Sequence, residues 1–274
     1  MMPFEMLNKM LGSLDDLDAL KALIQRFFGI DFDDPFRDVK KVLCVQPHPD
    51  DCEVAIGGIL AKLYLEGKDI AYLTLTDGSM GSHDISLEPK ALAEIRKEEQ
   101  ARAAKIIGVK KLIWLDYMDT ELPYSPEVRN KIISTIREEK PDMVLAPDPW
   151  LPYEVHPDHR NAGLLAMEAT FFASFPHINK GDLENGLKPH DVPLVGLYYT
   201  ARPNYIEDIT DIFEVKLKAL REHKSQFEAN WQQWEIFFKS MALFYGKRIN
   251  AMYGEGLKIL PKMLLHITPF AEVI

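Results

Sequence analysis

The stretch Gln46-Pro47-His48-Pro49-Asp50-Asp51-Cys52-Glu53 sets an imidazole beside two adjacent carboxylates, and Val155-His156-Pro157-Asp158-His159-Arg160 sets two imidazoles three residues apart around another carboxylate. Neutral imidazole and carboxylate are ligands for a divalent cation such as zinc, which in catalytic sites is held by three side chains and keeps one position open. His48, Asp51 and His159 can supply such a triad. Aspartate also has a plainer use, capping free N–H groups at a helix start and complementing the helix dipole. Capping explains Asp51 or Asp158 singly. It explains the Asp50-Asp51 pair less well, because neighbouring carboxylates repel unless a cation or a shared proton relieves them. With a metal present, one carboxylate ligates and the other takes a proton from the attacking water. A lone histidine is most often a satisfied turn residue, but His-Pro-Asp occurs twice, at 48–50 and 156–158, each time after an apolar run or its exit loop.

These loops need elements to bring them together. Residues 42–45 read as a buried strand, and 54–65 follow with helical spacing and two small residues, Gly57 and Gly58. Strand, loop and helix make half of a βαβ unit, and in open parallel sheets ligands sit outside the carboxyl ends of the strands. Further strands at 70–74, 112–115, 143–146 and 194–199 alternate with helices at 87–107, 128–139 and 161–172. The alternation predicts a Rossmann-like three-layer α/β sandwich with a mostly parallel sheet and a C-terminal helical and strand extension. The whole of 1–274 reads as one domain: an N-terminal helical segment to residue 40, a core over 41–200, and the extension over 201–274. The loop Thr76-Asp77-Gly78-Ser79-Met80-Gly81-Ser82 should border the site.

Residues 6–28 have the spacing of a helical hairpin or one long helix packed outside the sheet. Residues 179–193, rich in Gly, Asp, Asn, Pro and Lys, form a loop long enough for a lid or specificity element. One or two aromatic-rich helices span 212–245, and an apolar run at 259–270 contains His266, read first as a satisfied histidine in a packed strand. The alternative for His266 is that the tail crosses to a neighbouring copy, where His266 helps close that copy's substrate site.

Composition narrows the partners. The 32 basic and 42 acidic residues among 274 give a net charge of -10, which disfavours nucleic acid and anionic membranes and favours small molecules. The two cysteines, Cys44 and Cys52, lack metal-motif spacing and fit a reducing compartment, with Cys52 a small buried loop residue. Glu5, Asp15, Asp16 and Asp18 interrupt the apolar positions of residues 1–28, unlike a secretory leader, and no stretch approaches bilayer length, so a cytoplasmic location is expected.

Taken together, His48-Pro49-Asp50-Asp51-x-Glu53 with Gly57-Gly58, the Thr76-Asp77-Gly78 loop, Arg96 with Glu98-Glu99 and Gly108, Asp119, and His156-Pro157-Asp158-His159 resemble the PIG-L/LmbE-like zinc deacetylases. The likeness runs over 41–199, with a weaker echo in Lys216 and His223-Lys224-Ser225-Gln226. The Cys52-Glu53 pair, the Pro152-Tyr153-Glu154-Val155 lead-in and the aromatic C-terminal part are most similar to the archaeal-type diacetylchitobiose deacetylases of that family. The resemblance implies that His48, Asp51 and His159 hold Zn2+ and that Asp50 is the general base. It implies that His156 stabilises the oxyanion or protonates the leaving amine, and that Arg96 and Asp119 contact sugar hydroxyls or orient the site. The implied reaction removes acetate from N-acetylglucosamine-type sugars, diacetylchitobiose first, as in chitin degradation. It also implies a homo-oligomer, a hexamer being one form.

Other readings stand beside this one. By spacing alone, Arg96 can make an ion pair on a solvated helix face, Asp119 can be a turn residue, and His223 and Gln226 can be packing or capping groups. The stripe Phe227, Trp231, Trp234, Phe237 and Phe238 suits a core or subunit interface before a sugar platform. Glu154 stands two before His156, where some relatives carry a tyrosine or aspartate that assists the reaction. The substrate could be another glucosaminyl conjugate such as a thiol precursor. A non-catalytic nucleotide-binding or regulatory module would also suit the fold, but no G-x-G-x-x-G follows the first strand.

Overall fold

The structure, a computed structural model, describes residues 17–274. In chain order they form α1 (Leu17–Phe28), β1 (Lys41–Gln46), α2 (Asp51–Leu65), β2 (Asp69–Thr76), α3 (Pro89–Ile107), β3 (Lys111–Tyr117), α4 (Pro126–Glu139) and β4 (Met143–Pro147). There follow α5 (Pro157–Phe172), α6 (Gly181–Glu184), β5 (Leu194–Tyr198), β6 (Tyr205–Asp208), α7 (Phe213–Leu220), α8 (Lys224–Phe227), α9 (Trp231–Gly246) and β7 (Gly254–Pro261). The sheet order is β3-β2-β1-β4-β5-β7-β6. Strands β1 to β5 are parallel, and β7 runs antiparallel to both β5 and β6. The expected α/β class is observed, and the C-terminal extension adds two strands to the same sheet.

Side chains alternate across a strand. Val42 and Cys44 of β1 join the core under α1, α2 and the C-terminal helices, whereas Leu43 and Val45 join the core under α4 and α5. Both faces of β1 are therefore covered, which explains its unbroken apolar run. Strand order reverses between β1 and β4, so the loops leaving these two strands splay apart and open a crevice at their carboxyl ends. Both His-Pro-Asp segments enter that crevice.

Helix starts bring the motifs closer to the helices than periodicity indicates. α2 begins at Asp51 and α5 at Pro157, so Asp51, Asp158 and His159 all lie in first turns. Gly163 lets α5 lie against the end of β4, since a Cβ there would sit 2.4 Å from the Pro147 carbonyl oxygen. α2 is broken at Ile56 (φ -140°). The groups freed by the break are met from the C-terminal extension: Gly58 and Ile59 N–H donate to Glu255, and Lys216 Nζ donates to the Val54 carbonyl at 2.8 Å. The buried Lys216–Glu255 pair thus ties the extension to the helix that carries Asp51.

Three expectations change. Residues 179–193 precede β5 and so lie at the amino edge of the sheet, away from the crevice. There the buried Arg137 donates to the Asn179 carbonyl and the Asp182 carboxylate, and to the carbonyls of Ala173, Phe175 and Ile178 just before them, so the start of this segment is fastened to α4 and it is no lid. The apolar tail is no continuous strand either, because β7 ends at Pro261 and His266 follows a short 3-10 turn in an exposed position. Cys44 and Cys52, read as unpaired in a reducing compartment, are joined by a disulfide that links β1 to the first turn of α2, and both are fully buried. The N-terminal helix is seen over Leu17–Phe28, and the rest of the expected 6–28 segment lies outside the described residues. Among the described residues no helix is long and apolar enough to cross a membrane.

Candidate metal centre and active site

The loop from β1 turns sharply at Asp50, whose φ of 109° lies in the left-handed region, a strained setting for a residue with a side chain. The turn folds His48 and Asp51 onto each other. Asp51 Oδ2 accepts from the His48 backbone N–H at 2.9 Å and lies 3.3 Å from His48 Nδ1. The loop from β4 brings His159 Nε2 to 3.5 Å from Asp51 Oδ1. The rings of His48, His156 and His159 gather with centroid separations of 4.5, 5.2 and 5.3 Å.

Among the described residues two groups bring ligand atoms within 4.8 Å of one another: His48, Asp51 and His159, and His48, Asp119, His156 and Asp158. Their other contacts separate them. Asp158 accepts from Thr120 N–H at 2.7 Å and Leu122 N–H at 3.1 Å, and Asp119 accepts from Met80 N–H at 3.1 Å. Both also flank His48 Nε2, at 3.2 and 3.0 Å. These carboxylates tie the loops after β2 and β3 to His48, whereas Asp51 lies against both His48 and His159. His159 Nδ1 is buried without a hydrogen-bond partner. Convergent imidazoles and carboxylates with such an orphaned atom fit a divalent cation.

The charge balance agrees. Although burial opposes it, Asp119, Asp158 and Asp51 raise the His48 pKa well above its usual value. Against the cost of burial, His159 and His48 hold the Asp51 carboxyl far below the usual carboxylate range. A proton on His48 and a bound cation are alternative ways of neutralising the same carboxylates. Burial pushes Asp50 up to about 7, with Arg96 opposing and Asp51 adding to the shift. A carboxyl near 7 is suited to exchange protons at neutral pH.

Arg96 is buried rather than solvated. Its guanidinium donates to Gly78 O at 2.9 Å, Pro49 O at 2.6 Å and Asp50 Oδ2 at 3.1 Å, so it spans the two loops and aims the Asp50 carboxylate. Behind it, Gln100 Oε1 accepts from the Asp50 N–H at 3.0 Å, and its Nε2 donates to Glu53 at 2.7 Å. His156 caps α5: its Nδ1 accepts from Asp158 N–H at 3.3 Å, which leaves Nε2 to carry the proton. Burial, then His48 and His159, lower its pKa. Glu154 accepts from His156 N–H at 2.8 Å and lies 3.5 Å from His159 Nδ1, so it braces the second motif. His266 is not in this cluster of its own chain; it lies against Phe171, 5.5 Å between ring centroids.

The family description PIG-L, GlcNAc-PI de-N-acetylase, matches residues 43–170, which include both His-Pro-Asp segments. A diacetylchitobiose deacetylase of Thermococcus kodakarensis is 52% identical over 260 residues, 94% of this chain and 96% of the relative. This chain belongs to the PIG-L family. A solved structure of the N,N'-diacetylchitobiose deacetylase of Pyrococcus horikoshii, in complex with an inhibitor, superposes with a TM-score of 0.90 at 49% identity, covering 94% of this chain and 97% of that one. A probable N-acetyl-alpha-D-glucosaminyl L-malate deacetylase of Bacillus cereus is 29% identical over 69% of this chain and 85% of its own length. Within this PIG-L chain, sequence reasoning missed Gln100 and the bracing role of Asp158. A buried glutamine carries no motif, and Asp158 read as a helix cap.

His223 lies fully buried near this network, with neither ring nitrogen hydrogen-bonded and Nε2 3.8 Å from Glu53 Oε2. Burial, then Arg96 and Arg102, push its pKa down from 6.5 to about 3. The unfolded chain therefore takes up this proton before the folded one. The neutral ring stabilises the fold above about pH 6.5, and that contribution is lost as pH falls toward 3. His223→Phe is expected to flatten the fall in melting temperature between about pH 6.5 and 4; an unchanged slope in thermal denaturation would refute a neutral buried ring.

Proposed function

We propose that this PIG-L chain is a zinc-dependent N-deacetylase that hydrolyses the acetamido group of N-acetylglucosamine-type sugars, with diacetylchitobiose as its preferred substrate and a role in chitin degradation. The observation that carries the reading is the convergence of His48, Asp51 and His159 from two loops, with Asp50 beside them pushed up to about 7. The substrate comes from the Thermococcus relative, at 52% identity over nearly the full length of both chains.

In this reading His48, Asp51 and His159 hold the metal. When bound, zinc polarises an acyl carbonyl and lowers the pKa of water, so no covalent intermediate is needed. Asp50, oriented by Arg96 and Gln100, takes the proton from the attacking water. His156 faces the same cluster with its Nε2 proton, placed to stabilise the oxyanion or to pass that proton to the leaving amine. Arg96 donates to Gly78, Pro49 and Asp50, and Asp119 accepts from Met80 and faces His48, which supports an orienting role rather than contact with sugar hydroxyls.

His266 is proposed to serve a neighbouring copy in a homo-oligomer. It stands exposed at the rim of an apolar groove lined by Trp150, Phe171, Phe175 and Leu265. His266→Ala should impair turnover without lowering zinc content, and unchanged turnover would end that proposal. For the substrate, acetate release is compared across diacetylchitobiose, N-acetylglucosamine and a glucosaminyl thiol precursor. Preference for the disaccharide supports the reading, whereas preference for the thiol precursor keeps the chemistry and overturns the substrate.

A further inference from the structure

Tyr199 is the residue at which β5 stops being a strand. Alternation sends Leu194 and Tyr198 to the α2 side of the sheet and Val195 and Leu197 to the α4–α5 side. An extended continuation would turn Tyr199 to the α4–α5 side as well. Instead its φ of 53° returns it to the side of Tyr198, where it packs on the α2 cluster. Glycine takes this conformation freely, whereas a tyrosine holds it only where its surroundings impose it.

What surrounds it is the candidate metal centre. The Tyr199 hydroxyl donates to Asp51 Oδ1 and to the Asp51 backbone oxygen, each at 3.3 Å. Its ring lies nearly parallel to the His159 imidazole, 5.8 Å between centroids and 14° between planes. Asp51 Oδ2 is already fixed by the His48 N–H, and Oδ1 is the oxygen that faces His159. One side chain therefore touches a carboxylate from the first motif and an imidazole from the second.

We propose that Tyr199 is a positioning residue for the metal centre, with its hydroxyl fixing the rotation of the Asp51 carboxylate and its ring fixing the plane of His159. This rests on the reading of Asp51 and His159 as metal ligands. Ligating carboxylates and imidazoles depend on such partners for orientation, and losing one partner weakens metal binding by about ten- to a hundredfold.

The test is the zinc dissociation constant of Tyr199→Phe, measured on the metal-stripped full chain by competition with a chromophoric chelator, beside the unsubstituted protein. Melting temperatures of both metal-free forms are taken in parallel. Zinc binding weaker by about ten- to a hundredfold with matching metal-free melting temperatures is the expected result. Equal zinc affinity overturns the role of Tyr199 and leaves the metal site standing. Weaker binding with an equally lowered metal-free melting temperature also overturns it, since the hydroxyl would then serve the fold. An unsubstituted protein that binds no zinc overturns the metal reading itself and this inference with it.

Discussion

Asp50→Asn is expected to keep its zinc and lose turnover by roughly a thousandfold, within the range for removal of a general base. The substitution is nearly isosteric, and the Asp50 N–H bond to Gln100 belongs to the backbone, so the strained turn and the neighbouring Asp51 stay in place. What disappears is a carboxyl pushed up to about 7 by burial, beside the triad and suited to take a proton from water near neutral pH. Measuring kcat together with metal content by elemental analysis checks both halves. Full activity in the substituted protein would remove Asp50 from the chemistry, and loss of zinc would move it into the ligand set.

His159→Ala should have the opposite pattern, losing the metal first and activity as a consequence. His159 is the only member of the proposed triad that comes from the second motif, so its removal leaves His48 and Asp51 on one loop with no partner across the crevice. Zinc affinity should fall by at least about a hundredfold, close to 3 kcal/mol. Asp51, no longer faced by His159, loses the leading influence that holds its carboxyl down. Retained stoichiometric zinc in the substituted protein would favour the other cluster, built on Asp119, His156 and Asp158, as the cation site.

Both motifs and the strand–helix alternation that carries them could be read from residue types, because a parallel α/β sheet repeats one pattern and places its loops at one edge. The starts of α2 and α5 were blurred by the very residues that matter, since Asp, Pro and His at a helix start look like loop until the cap is seen. The segment 179–193 has a loop's composition, but only topology tells which edge of the sheet it occupies, and Arg137 fixes it at the far one. Arg96 was ambiguous because a helix periodicity does not distinguish a solvated guanidinium from one buried against Asp50. The disulfide was hidden in a separation of eight residues that spans a strand and a turn. Tyr199 gave no signal, because a left-handed backbone at an aromatic residue is imposed by tertiary contacts rather than by local preference.

The most direct measurement is acetate release from diacetylchitobiose by the purified chain, before chelation, after removal of metal, and after return of one equivalent of zinc. The expected result is release that vanishes with the metal and returns with zinc. Release that survives complete removal of metal, or none from a protein carrying stoichiometric zinc, would contradict a zinc-dependent deacetylase acting on this sugar.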